Sequence, residues 1–233
     1  MVFEAAHINW NCPAGRRLDQ LASVLPREPR LDITVFGSAP LQLLIESSFV
    51  SEDVDIFPQE PFSLHLERFV DRHHLAKDQT PLYIAVCDPL TFKSTVDWRD
   101  RAVEAQRHGH TFRIVHPWDV LASKLQRLEE KDLAAFKLVI AKTGHPTAAE
   151  LIAHLQKAVE LFRPRFEDEQ AHGDMTANTR ALWRELWQTD IDVRAAIIRP
   201  ALQRMERDYV DHDPTLKARL GNIRRPSKPE TEP

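Results

Sequence analysis

The stretch VFGSAPLQLLIESSFVSEDVDIF, residues 35–57, holds the residue types and spacing that phosphate and metal chemistry require. Gly37 lets the backbone approach a phosphate closely, and the Ser38 hydroxyl, with a helix starting behind it, offers donors to phosphate oxygens. Asp53 and Asp55 are separated by one residue. On a strand they share a face, with Val54 and Ile56 on the other. Two carboxylates side by side repel each other. A divalent cation between them removes that repulsion, and hard oxygen ligands of this kind suit Mg²⁺ or Mn²⁺. A bare Asp-x-Asp is a weak signal, and a polar strand edge with a chance Gly-Ser turn is the structural alternative. The ordered set is more specific.

To bring these groups together the chain needs a strand ending at Gly37, a helix leaving at once and a second strand carrying the aspartates. LDITVFGSA supplies the first, with Ile33, Val35 and Phe36 as a short β-type run that Gly37-Ser38 stops. PLQLLIESSF suits the helix and VDIF, closed by Pro58, the second strand. Before them, Leu18, Leu21, Ala22 and Leu25 recur at helical spacing until Pro26 and Pro29 end the segment. After them, Phe62, Leu66, Phe69 and Val70 mark a helix over 61–76, LYIAVCD (82–88) a third strand and TFRIVH (111–116) a fourth. From Pro117 the strand signal disappears. HPWDVLASKLQRLEEKDLAAFKLVIA reads as one helix with proline at its first position and an acid in its first turn. Thr147 and Glu150 form a capping pair for the next, and residues 176–208 supply one or two more. The expected class is α+β: a mixed-sheet core over 1–116, a helical region over 117–221, and a tail over 222–233 whose proline and charge predict disorder.

Composition sets the remaining bounds. With 233 residues, 28% charged and 42% hydrophobic, the chain has the make-up of an ordinary globular protein. A formal net charge of −4 argues against a uniformly basic nucleic-acid binder. No apolar run is long enough to span a bilayer, and MVFEAAHINWNC lacks the features of a secretory leader. Cys12 and Cys87 have no metal-type spacing, and a reducing cytoplasm is the expected setting.

Glycine-serine, a helix, then Asp-x-Asp on the next strand resembles the nucleotidyltransferase superfamily. The likeness extends through VFGSA, SEDVDIF, LYIAVCDP, DWRDRA and above all HPWDVLASKLQRLEEKDLAAF. In these pieces, spanning about residues 33–140, the chain is similar to bacterial nucleotidyltransferases of the DUF6036 group, relatives of AbiEii-type toxin nucleotidyltransferases. The resemblance implies a nucleotidyltransferase-like fold. It implies that Gly37 and Ser38 hold the phosphates of an NTP, that Asp53 and Asp55 bind Mg²⁺ or Mn²⁺, that Lys124 contacts the triphosphate and that Asp132 is a later acidic motif residue. It also implies an acceptor such as RNA, a tRNA 3′ end among the candidates, and, for a toxin, a cognate antitoxin. If helix 117–142 is continuous, Lys124, Arg127 and Lys131 form one cationic face, with Asp132 about 80° from Lys124. Read without the resemblance, those cations are a solvated face paired with Glu129 and Glu130, and Asp132 caps a second helix.

The chain departs from the pattern on its third strand, where Ala85 stands at a central position suited to a third carboxylate. Asp88, at the strand end, points to the opposite face from Ala85, and either it or Asp132 would have to replace the missing acid. A catalytically degenerate binding module is therefore the rival reading, and an interaction protein using the helical half a third. His73-His74 and His108-Gly109-His110 read as exposed histidines, Trp98, Trp118, Trp183 and Trp187 as packing residues. Arg99 and Arg101 read as surface ion-pair partners or guides for nucleic acid.

Overall fold

Strand β1 (Asp32–Phe36) is apolar on both sides: Ile33, Val35, Thr34 and Phe36 are all buried, as a central strand requires. It pairs antiparallel with β2 (Asp53–Pro58) and parallel with β5 (His110–Ile114). The sheet is completed by β3 (Tyr83–Val86), parallel to β2, and β4 (Val103–Arg107), antiparallel to β5, giving the order β3-β2-β1-β5-β4. The structure, a computed structural model, describes residues 2–59, 63–167 and 174–212. The expected tail over 222–233 lies outside them.

The two faces of the sheet bury different partners. Ile33, Val35, Val54, Ile56, Ile84, Phe112 and Ile114 pack against Leu18 and Leu21 of α1 (Pro13–Val24) and Leu66 and Val70 of α3 (Ser63–Arg72). Phe36 and Phe57 face the other way, into a core shared with the helical half. That half comprises α4 (Pro117–Lys124), α5 (Glu130–Thr143), α6 (Ala148–Glu167), α7 (Met175–Trp187), a π-helical turn at Arg194–Ile198 and α8 (Arg199–His212). The short α2 (Ala39–Leu44) serves both cores, with Leu41 in one and Ala39 and Leu43 in the other. The class is α+β, as the residue pattern predicts. No described helix is long and apolar enough to cross a membrane.

Several expectations change. The chain forms a strand that the pattern does not reveal, β4, because VEAQR sits at a sheet edge where only Val103 is buried. It joins β5 through His108-Gly109, both at positive φ. The expected fourth strand is shifted to His110–Ile114, and His116 instead caps α4 by accepting a hydrogen bond from the Trp118 amide (3.1 Å). His110 is fully buried, its Nδ1 accepting from the Leu31 amide (3.1 Å), so it is no exposed turn histidine. The helix expected from Pro117 is two helices, broken between Leu125 and Glu129, with Leu128 at φ 47. The Thr147–Glu150 pairing forms as expected, with both reciprocal bonds present (2.7 and 3.3 Å).

Arg101 also has a different task from the one its sequence position suggests. Asp119, in the first turn of α4, is completely buried. It accepts hydrogen bonds from Ser94 Oγ (2.7 Å), Thr95 Oγ1 (3.1 Å) and Arg101 Nε and Nη2 (both 2.9 Å), and His154 Nε2 of α6 lies 3.3 Å away. Burial alone would raise its carboxyl. The His154 and Arg101 interactions outweigh burial and hold it well below the usual carboxylate range. Arg99, by contrast, stays at the surface with its guanidinium 4.6 Å from the Trp98 ring centroid. Replacing Arg101 by methionine removes two donors and a compensating charge from a buried carboxylate. Arg101→Met should lower stability by roughly 3 kcal/mol, read as a reduced urea midpoint with unchanged slope at pH 7.

Candidate functional site

The turn after β1 is built around one missing side chain. Gly37 has φ +65, and a Cβ placed on it would stand 1.9 Å from Asp55 Oδ2. Only glycine lets this carboxylate lie against the turn. The Ser38 hydroxyl makes no capping bond to α2 and instead accepts from Lys124 Nζ at 3.1 Å. The helix start adds little to an anion site here. It is six residues long, and Pro40 in its first turn has no N–H to give.

Asp53 and Asp55 project from one face of β2, while Val54 and Ile56 are fully buried on the other. The register sets their neighbours: Asp53 lies beside Tyr83, and Asp55 lies between Phe36 on β1 and Ala85 on β3. Tyr83 Oη donates to Asp53 Oδ2 at 3.4 Å, and Cys87 Sγ sits 3.8 Å from Asp55 Oδ1. Burial, then the charge of Asp53, pushes the Asp55 carboxyl up to about 6, against the opposing pull of Cys87 and Lys124. Burial, then the charge of Asp55, pushes the Cys87 thiol up to about 12. Tyr83 is raised too, by burial first and by Asp53 second.

The opposite wall comes from the helical half. Lys124, the last residue of α4, is buried, and its ammonium bridges Ser38 to Asp132 Oδ1 (3.0 Å). Asp132 is fully buried and also accepts from Arg127 Nε (2.9 Å) and Nη2 (3.1 Å) and from the Glu129 amide (3.1 Å). Burial alone would raise its carboxyl, but the Arg127 and Lys124 bonds prevail and lower it. The expected placement of Asp132 at the cleft is therefore corrected: it sits behind Lys124 and aims the two cations. The break between α4 and α5 makes this possible, since on one continuous helix the Lys124 and Asp132 side chains would diverge by about 80°. A second helix does begin here, but at Glu130 with Glu129 as its N-cap; Asp132, its third residue, closes the capping box with Glu129 and is not the N-cap.

Gly37, Ser38, Asp53 and Asp55 face Lys124, Arg127 and Lys131 across a cleft of 610 Å³, which Phe36, Thr91, Phe92 and Gln126 also line. Glu52 stands exposed at its rim. Asp88 is not among the lining residues. Its carboxylate accepts from the Leu90 amide (2.7 Å) and caps the turn at Pro89–Thr91. Neither candidate for the third acid therefore reaches the cleft. Tyr83, Cys87 and Phe92 were not singled out by spacing alone, although the alternation that marks Ala85 places Tyr83 and Cys87 on the same side of β3. Among the described residues no three His, Cys, Asp or Glu side chains converge on a common point as a complete metal cage. What the cleft offers a cation is the Asp53–Asp55 pair, one member of which is raised by burial and then by its neighbour's charge.

No family model matches the sequence, and neither the curated proteins nor the solved structures contain a match.

The raised Asp55 carboxyl makes stability depend on pH in a stated direction. Below its ordinary value of 3.8, folded and unfolded chains are both protonated. Between 3.8 and about 6 the unfolded chain ionises while the folded one keeps its proton, so stability falls as pH rises through this window. The full loss corresponds to about 3 kcal/mol. In chelator, Asp55→Asn should unfold at a higher urea midpoint than wild type at pH 7, and the two midpoints should converge by pH 4.

Proposed function

We propose that this protein is a metal-dependent nucleotidyltransferase that moves a nucleoside monophosphate from an NTP to an acceptor hydroxyl. The observation that carries this reading is the convergence of Gly37, Ser38, Asp53, Asp55 and Lys124, from three separate segments of the sequence, on one cleft. The order of β1, Gly-Ser turn, α2, β2 with its Asp-x-Asp, α3 and a parallel β3 resembles a nucleotidyltransferase-like core.

In this reading Asp53 and Asp55 hold a divalent cation, Mg²⁺ or Mn²⁺, which when bound neutralises triphosphate charge and orients the α-phosphate. Lys124, fixed by Asp132 and Ser38, stabilises the negative charge that grows on the departing pyrophosphate. Arg127 and Lys131 extend the cationic wall toward the solvent, where the β- and γ-phosphates would lie. The acceptor oxygen attacks the α-phosphorus and forms the new O–P bond. The bond from that phosphorus to the bridging oxygen breaks, pyrophosphate leaves, and the acceptor proton passes to solvent. The group supplies charge and position, the usual strategy of phosphoryl chemistry. RNA is the acceptor class the sequence resemblance favours, a tRNA 3′ end among its candidates. A cognate antitoxin would be the partner of a toxin with this activity.

A second reading has its own support. Ala85 lies in register with Asp55, where a third carboxylate would complete the acidic set. A degenerate module would bind Mg²⁺-NTP without transferring it.

Incubation with each α-labelled NTP, Mg²⁺ and total RNA, with self-labelling of the protein read on the same gel, separates the two. A transferase should label an acceptor, and Asp53→Ala or Asp55→Ala should reduce transfer by at least a hundredfold while leaving the fold intact. Wild type that labels nothing, yet gains several degrees of melting temperature from Mg²⁺-NTP, identifies the binding module.

A further inference from the structure

Three side chains share the face of the two aspartates: Tyr83 and Ala85 of β3 and Cys87 just past its end. None is a carboxylate. The outer two are neutral donors, each near one oxygen of a different aspartate: Tyr83 Oη 3.4 Å from Asp53 Oδ2, and Cys87 Sγ 3.8 Å from Asp55 Oδ1 and 3.7 Å from the Ala85 carbonyl. The middle one, beside Asp55, presents only a methyl group. Two-cation sites hold their ions about 4 Å apart and share oxygen ligands between them. Mg²⁺ demands six oxygens in near-octahedral order. Two carboxylates, with a methyl group where a third acid would stand, leave a pair of such ions short of protein ligands. Glu52 does not change the count, since it sits exposed at the rim and, among the described residues, no three metal-ligating side chains converge.

A fixed positive charge already stands on the other side. The Lys124 ammonium is buried, bonded to Ser38 Oγ (3.1 Å) and Asp132 Oδ1 (3.0 Å), and borders the same cleft. Lys124 and Arg127 share the buried Asp132, and the half-exposed Glu129 pairs with Arg127 (3.2 Å) and Lys131 (3.5 Å), so three cations against two carboxylates leave this wall one net positive charge. Resting on the nucleotidyltransferase reading, we propose that the cleft takes a single divalent cation with each nucleoside triphosphate, and that Lys124 fills the electrostatic place of a second ion. Ala85 sets that stoichiometry. The cation's remaining ligands are then phosphate oxygens and water, so ion and nucleotide bind together.

The test counts Mn²⁺. Protein and a non-hydrolysable α,β-methylene nucleoside triphosphate are equilibrated with Mn²⁺ by dialysis, so that nucleotide and ion not held by the protein equalise across the membrane, and the excess of each on the protein side is counted per chain. One tightly bound Mn²⁺ per chain is the expected result. Two per chain would overturn the proposal and leave the transferase reading intact. No retention of nucleotide or Mn²⁺ would overturn both. Ala85→Asp places the missing carboxylate beside Asp55 and should raise the count to two, with near-ultraviolet circular dichroism reporting its fold. A folded Ala85→Asp protein that still holds one ion would refute Ala85 as the determinant. The wild-type count decides the stoichiometry even if that variant does not fold.

Discussion

The Asp119 carboxylate is the constraint on which the rest of the arrangement hangs. A charge with no exposure cannot be left short of partners, so the loop carrying Ser94 and Thr95, the turn carrying Arg101 and helix α6 with His154 must all close on the first turn of α4. Lys157 on α6 adds a second tie to this region through Asp97 (2.8 Å). Once α4 is fixed at its start, eight residues carry the chain to Lys124 at its end. The cationic wall thus owes its position to a buried ion network that never touches the cleft. A cluster of Phe36, Phe57, Phe92 and Trp98 fills the space between the two, its rings meeting at 5.2 to 6.3 Å.

The sheet divides its labour by face. One side is aliphatic and aromatic throughout and serves only to bury area. The other begins as core at Phe36 and Phe57 and becomes polar at Asp53 and Asp55 within the same two strands. Asp55 stands at that boundary, close enough to the core to resist ionising and close enough to the cleft to respond to Lys124. Gly37 makes the boundary passable, because any Cβ at that turn would occupy the space of the carboxylate.

Much of this was legible in the residue order. A Gly-Ser pair closing one strand and Asp-x-Asp on the next can be placed by alternation alone, since period two fixes which side chains share a face. Lys124 reached the cleft as the Ser-Lys-Leu resemblance implied. The helix break was not legible, because Leu125–Glu129 contains neither glycine nor proline and is held by local bonds from Asp132 to the Arg127 guanidinium and the Glu129 amide. That hidden break turned Asp132 from a cleft acid into the support of two cations. β4 escaped for a different reason: an edge strand with one solvated face and a short length carries no apolar alternation. The role of Arg101 was illegible because a guanidinium that neutralises a buried acid eighteen residues away looks, in sequence, like any surface arginine.

Cys87 carries a last consequence. Thiols react with peroxides and alkylating agents as thiolates, and a thiol pushed up to about 12 is almost wholly protonated at neutral pH. Cys12, the other cysteine, is also raised by burial and accepts a bond from the Gly15 amide at the start of α1. A sulfur thus stands next to the acidic pair without making the cleft a redox sensor. What borders the acidic pair is the protonated thiol, the form of sulfur that reacts slowly with oxidants and alkylating agents.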